Sequence, residues 1–190
     1  MAQSPMAASV STSRLRREFG AAAFAHLQDR RLQLLLNYWL GLRGGEAIPP
    51  RSAIDPAAIA PVLPYIWLCE FMPDEARFRM RLAGEEINKF YGRNISRAYF
   101  DEITDDRFRT MMVRRYRRVI EDPSIMHCTG HIYFANESRV VGERLGLPLR
   151  AEDGRVLQII GISVYDIPSQ QVDFQVKSET MQETFTPILE

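Results

Sequence analysis

Five prolines (Pro49, Pro50, Pro56, Pro61 and Pro64) fall between residues 46 and 64, and no long helix survives that density. The stretch reads as a stiff connector, with room for one short helix at 55–60 that a proline can open. It separates two kinds of sequence. Before it, Leu32, Leu35, Trp39 and Leu42 follow 3-4-3 spacing, Leu36 and Tyr38 widen the stripe, and Gly41, Gly44 and Gly45 end it. The spacing predicts an amphipathic helix within residues 23–44. Such a stripe cannot stay in water, so it must cover the domain, a second copy of the chain, or both. Residues 1–22 are rich in Ser, Ala and Arg and poor in large apolar groups, which predicts a disordered basic arm.

After the connector the pattern changes period. Residues 65–71 are aromatic and β-branched, 72–75 hold the turn formers Pro73 and Asp74, and 77–82 alternate Arg, Phe, Arg, Met, Arg, Leu. This predicts a hairpin whose second strand turns Phe78, Met80 and Leu82 inward and Arg77, Arg79 and Arg81 outward, with Glu70 opposite them. A short helix over 84–91 closes at Gly92. A longer one over 105–121 can be capped by Thr104 and is stopped by Pro123. Arg114, Arg115, Arg117 and Arg118 fall largely on its polar side. Three strands follow at 124–134, 140–150 and 156–166, with a turn at Glu152, Asp153 and Gly154. Residues 169–190 read as an acidic C-terminal tail.

Composition narrows the function classes. The 24 basic and 24 acidic residues cancel, which argues against a domain built mainly to hold a nucleic-acid backbone. The cancellation hides a separation: residues 1–45 carry a surplus of arginine, residues 166–190 a surplus of acid. Lys89 and Lys177 are the only lysines, so nearly all positive charge is arginine, a side chain suited to protein interfaces. No apolar run is long enough to span a bilayer, and the N-terminal arginines are placed wrongly for a secretory signal. Cys69 and Cys128 have no metal-ligand spacing, and reduced thiols in a cytoplasmic protein are the expectation. No GxSxG elbow or phosphate-cradling loop is present.

The order of two strands, short helices, a longer helix and three strands predicts an α+β fold. Its five-stranded antiparallel sheet carries helices on one face and is preceded by the amphipathic helix. This order resembles the Per-Arnt-Sim (PAS) fold. The strings YWLGLRGG at 38–45, PRSAIDPAAIAPVLPYIWL at 50–68, FRMRLAGEEI at 78–87, FYGRNISR at 90–97 and LPLR at 147–150 are similar to a branch of small stand-alone bacterial PAS-like proteins. The resemblance covers residues 32–166 and places the domain, proline-rich lead-in included, at 45–168. It implies a non-catalytic sensory or signal-transduction role through protein contacts. A small ligand could sit in the pocket between sheet and helices.

The resemblance also lets cofactor classes be tested. Flavin-binding PAS photosensors carry a reactive cysteine after the first helix, where this chain has YGRNISRAYF. Haem-binding relatives commonly supply a histidine from the long helix, where residues 105–121 have none. Both cofactors are disfavoured and the ligand is left unnamed. The expected pocket residues are Trp67, Cys69, Met80, Phe90, Met112, Tyr116, His127, His131, Tyr133 and Arg144, the alternative being that they only fill a core. Leu32, Leu35, Trp39 and Leu42 are the expected interface of a homodimer, and other signalling proteins are expected partners. Two other readings stand beside this one. A small cavity enzyme would use His127 or His131 with an acid beside the histidine, and an arginine-mediated nucleic-acid binder would use Arg114 to Arg118.

Overall fold

The computed structural model describes residues 24–104, 106–135, 138–166 and 181–188, with the side chains of 107, 131–135, 138–140 and 166 left out. Residues 1–22, the expected arm, lie outside the described residues. The first helix, α1 (Arg30–Leu42), starts where Asp29 accepts a hydrogen bond from the Arg31 backbone N–H at 2.7 Å. The proline-rich connector becomes a tight 3-10 run, Pro56–Tyr65, kinked at Ile59 and capped by Asp55. Its prolines forbid an α-helix but tolerate these short turns.

Strand β1 (Ile66–Met72) and β2 (Arg77–Ala83) form the expected hairpin around a turn at Pro73–Glu75. Helices α2 (Glu85–Tyr91), α3 (Phe100–Ile103) and α4 (Asp106–Glu121) follow, and Gly92 ends α2 at φ 64°. Strands β3 (Ser124–Ala135), β4 (Ser138–Arg150) and β5 (Val156–Asp166) complete the expected set. A sixth, β6 (Gln182–Pro187), pairs with β3 inside the segment read as an acidic tail. The sheet is antiparallel, in the order β2-β1-β5-β4-β3-β6. Charge hid β6: Phe185 packs on the helix-side core, and Glu183 accepts from the buried α4 arginine Arg115.

The sheet is covered on both faces. On one, α1 and the 3-10 run press Leu32, Leu35, Leu36, Trp39, Leu40, Ile59 and Val62 onto Leu145, Leu147, Leu149, Ile160 and Ile162. The Trp39 indole N–H donates to the Pro148 carbonyl at 2.9 Å. Leu32, Leu35 and Trp39 have no exposed surface at all, and Leu42 is half-buried. The stripe expected to form a dimer interface thus packs its buried residues on its own sheet, the first of the three options it allowed. On the other face, α2, α3 and α4 enclose Trp67, Cys69, Phe78, Met80, Phe100, Met112, Tyr116 and Ile159.

The β1–β2 pairing departs from strict alternation. The β1–β2 register slips between Leu68 and Cys69, so Leu68 faces Leu82 while Cys69 faces Met80. The extra residue turns Leu82 to the outer face, 43% exposed, so of the three residues expected inward Phe78 and Met80 are buried and Leu82 is not.

Candidate functional site

The helix-covered face holds most of the expected pocket residues together. Trp67 and Cys69 arrive from β1, Met80 from β2, and Met112 and Tyr116 from the apolar side of α4. The Trp67 indole stacks on Tyr116 with centroids 5.2 Å apart. Phe78, Phe100 and Tyr116 form an aromatic triangle with centroids 5.4 to 5.9 Å apart. Phe90 lies at the rim, half-buried, 5.3 Å from the Tyr165 ring.

Two glycines make room for Trp67. Trp67, Gly161, Gly146 and Met126 stand in one cross-strand row. A methyl group on Gly161 would overlap the indole, and one on Gly146 would lie 2.9 Å from the Met126 methyl. A glycine inside a strand marks such a close approach. Gly161, alone in the apolar string 159–162, was the sequence signal for it.

Three polar groups of this face meet. Ser163 Oγ accepts from the Trp67 indole N–H at 2.9 Å and from Arg144 Nε at 3.0 Å. Arg144 and Ser163 are both more than nine-tenths buried. Ser163 escapes sequence reading because a lone hydroxyl in a strand carries no motif. Burial pushes the Cys69 thiol well above its ordinary range and the Cys128 thiol up to about 11, although Arg144 pulls both the other way. Neither is a thiolate at neutral pH, so neither is a ready nucleophile.

His127 is elsewhere. Strand alternation turns it away from Cys128 and Arg144 onto the α1 face, opposite the aromatic cluster. There His127 Nε2 lies 2.7 Å from Glu143 Oε1, and Glu143 also accepts from the backbone N–H groups of Gln28 at 3.1 Å and Asp29 at 2.9 Å. The His26 ring approaches the His127 ring at 4.6 Å. Burial alone would raise the Glu143 carboxyl, but hydrogen bonds from His127, Asp29 and Gln28 outweigh it and hold it below the ordinary glutamate value. Burial, reinforced by His127, lowers His26. The side chains of His131 and Tyr133 lie outside the described residues.

The α4 arginines do not form one wet face. Arg115 is buried and donates from Nε to Glu183 at 2.7 Å, Arg118 lies over the Phe185 ring at 4.1 Å, and Arg117 lies over Phe71 at 4.9 Å. On β2, Arg79 and Arg81 reach Glu70 at 3.4 and 3.0 Å, whereas Arg77 turns to Asp101 at 2.7 Å. Among the described residues no group of three or more His, Cys, Asp or Glu is placed to hold a metal ion. Among them, too, no helix is long and apolar enough to cross a membrane.

An antiparallel sheet with α2 to α4 over one face and a mixed polar–aromatic core beneath them defines a single α+β module. Residues 27–164 match the PAS domain family, and the chain belongs to it. The match begins just before α1 and ends in β5, so it includes the helix and the connector. No curated protein matches the chain. Solved structures similar to it include one described as "Flavin Analogue Sheds Light on Light-Oxygen-Voltage Domain Mechanism", at 14% identity and TM-score 0.38 over 59% of this chain and 84% of that one. A variant of the fungal photoreceptor VVD is 13% identical at TM-score 0.40, over 68% and 92%. An RNA-binding Light-Oxygen-Voltage receptor is 14% identical at TM-score 0.38; the match covers 61% of this chain and 34% of that receptor. PAS domains are typically sensory and regulatory modules, not enzymes.

Proposed function

We propose that the protein is a non-catalytic, cytoplasmic regulatory PAS module that acts through protein–protein contacts and is tuned by a small molecule held between sheet and helices. The observation that carries the ligand part is the meeting of Trp67, Ser163 and Arg144 among the aromatic and aliphatic groups of this face. A buried guanidinium and a shared hydroxyl can orient a ligand where aromatic rings supply contact area. Flavin and haem stay disfavoured. The segment 91–100 has no cysteine, residues 105–121 have no histidine, and Trp67 lies across the middle of the sheet surface. Homodimerisation remains in the proposal without help from α1, whose stripe is used within the chain.

Native mass spectrometry of the purified protein tests this. The expected spectrum shows the chain with a small molecule that Trp67→Phe and Arg144→Gln variants lose. A wild-type spectrum holding only the bare chain, at protein concentrations where partner binding persists, would remove the ligand from the reading.

The cavity-enzyme reading has one observation in its favour, the acid beside His127. That carboxylate is already engaged by two backbone N–H groups and covered by the segment leading into α1. Its role in the fold is to hold chain, tying β4 to the segment that leads into α1.

A further inference from the structure

Two arginine sets that the sequence keeps apart meet across one groove. Arg77 of β2 stands on one wall, and Arg109, Arg114 and Arg117 of α4 stand on the other, around a volume of about 770 Å³. Spacings of three and four residues bring Thr110, Val113, Arg114, Arg117 and Glu121 to the same side of the helix. The floor is apolar: Phe78 and Phe100, stacked at 5.4 Å, and half-buried Val113.

Four guanidiniums face two carboxylates in this lining, Asp101 and Glu121. Arg77 pairs with Asp101, Arg109 with Asp106 and Arg117 with Glu121, all across side chains with substantial exposure. Such surface pairs contribute little and exchange readily for an incoming carboxylate. Arg114 is exposed and has no ion-pair or hydrogen-bond partner among the described residues.

We propose that this groove docks a short acidic segment of a partner protein, with carboxylates for the arginine walls and an aromatic or branched apolar side chain for the floor. The proposal rests on the reading of the chain as a protein-interaction module and names the chemistry of the partner. Arginine forks suit carboxylates bidentately. A nucleic-acid backbone fits less well, because the positive surface is short and interrupted. Arg115 is turned inward to Glu183, Arg118 lies over Phe185, and Asp101, Asp106 and Glu121 break the track.

Fluorescence anisotropy on the full chain tests the groove, using a fluorescein-labelled synthetic peptide that alternates glutamate with phenylalanine. Saturable binding is expected, weakened about tenfold by Arg114→Glu, a change of one 1.4 kcal/mol step. Thr110→Trp, which fills the groove without altering its charge, should weaken it as much. Circular dichroism and the melting temperature of both variants should match the wild type. Affinity unchanged in both folded variants overturns the proposal. So does a glutamine-for-glutamate peptide that binds as tightly, or an oligouridylate that competes at lower concentration than the peptide itself. If the wild type ignores the peptide while native mass spectrometry still finds a retained small molecule, the groove is overturned and the sensory reading is not.

Discussion

The two faces of one sheet are built from different chemistry. The α1 face has an aliphatic centre, with leucines and isoleucines packed around the Trp39 ring, and its polar pairs stand at its ends, His127 with Glu143 at one and Gln158 with Glu70 at the other. The helix face mixes rings, glycines, thiols, a serine and an arginine around Trp67. An aliphatic face needs only shape and volume, whereas a face with buried polar donors needs each one matched. The first kind holds the fold shut. The second can be tuned, because a change in one hydrogen bond is felt by its neighbours.

This contrast can be broken most sharply with the largest side chains. Trp67→Ala should destabilise by about 3–5 kcal/mol and Leu35→Ala by about 2–5 kcal/mol, both read from urea unfolding. Smaller substitutions tell the faces apart, because only the helix face couples them to a ring. Gly161→Ala should cost about 1–3 kcal/mol by overpacking, yet far less once Trp67 is alanine, because the clash is with that ring. Additive losses in the double variant would remove the account of the glycine row. Ser163→Ala leaves two buried donors short of their acceptor and should cost about 1–3 kcal/mol in the same urea series, a loss with no counterpart among the leucines of the α1 face.

The smallest effect belongs to the Glu143 end of the α1 face, and its sign is fixed. Glu143 is held below its ordinary value in the fold, so its contribution is present above the unfolded glutamate range and is lost as pH falls through the lowered one. His26 is also lowered, so protons that the unfolded chain takes up below the ordinary histidine range oppose folding there. Both make stability fall on acidification. The melting temperature should decline modestly from pH 7 to 5 and further towards pH 3, and Glu143→Gln should flatten the lower limb. A melting temperature that rises over the same range would contradict the placement of both groups.

Much of the fold was readable because each signal was local. The 3.6-residue stripe gave α1, the alternation at 77–82 gave β2, Pro73 and Gly92 marked a turn and a helix end, and strands β3 to β5 obeyed period and turn chemistry. Strand β6 was lost because acidic composition dominated its segment, although Thr184, Phe185 and Thr186 suit a strand. The candidate site was half readable. Trp67, Tyr116, Met112 and Arg144 could be gathered as inward-facing groups, but the alternation that turns Cys128 towards them turns His127 away. Ser163, Gly146 and Glu143 acquire meaning only from neighbours on other strands.

Local pattern was enough to specify the elements up to β5 and their order, because periodicity and turn residues act within a few positions. What each face meets was settled only by tertiary packing. It folded the leucine stripe back onto its own sheet, laid Trp67 across Gly161, and brought Arg77 opposite the arginines of α4. Those outcomes depend on strand register and helix placement across long separations. No short stretch of sequence encodes them, since a single bulge at Leu68 and Cys69 is enough to turn Leu82 from the core to solvent.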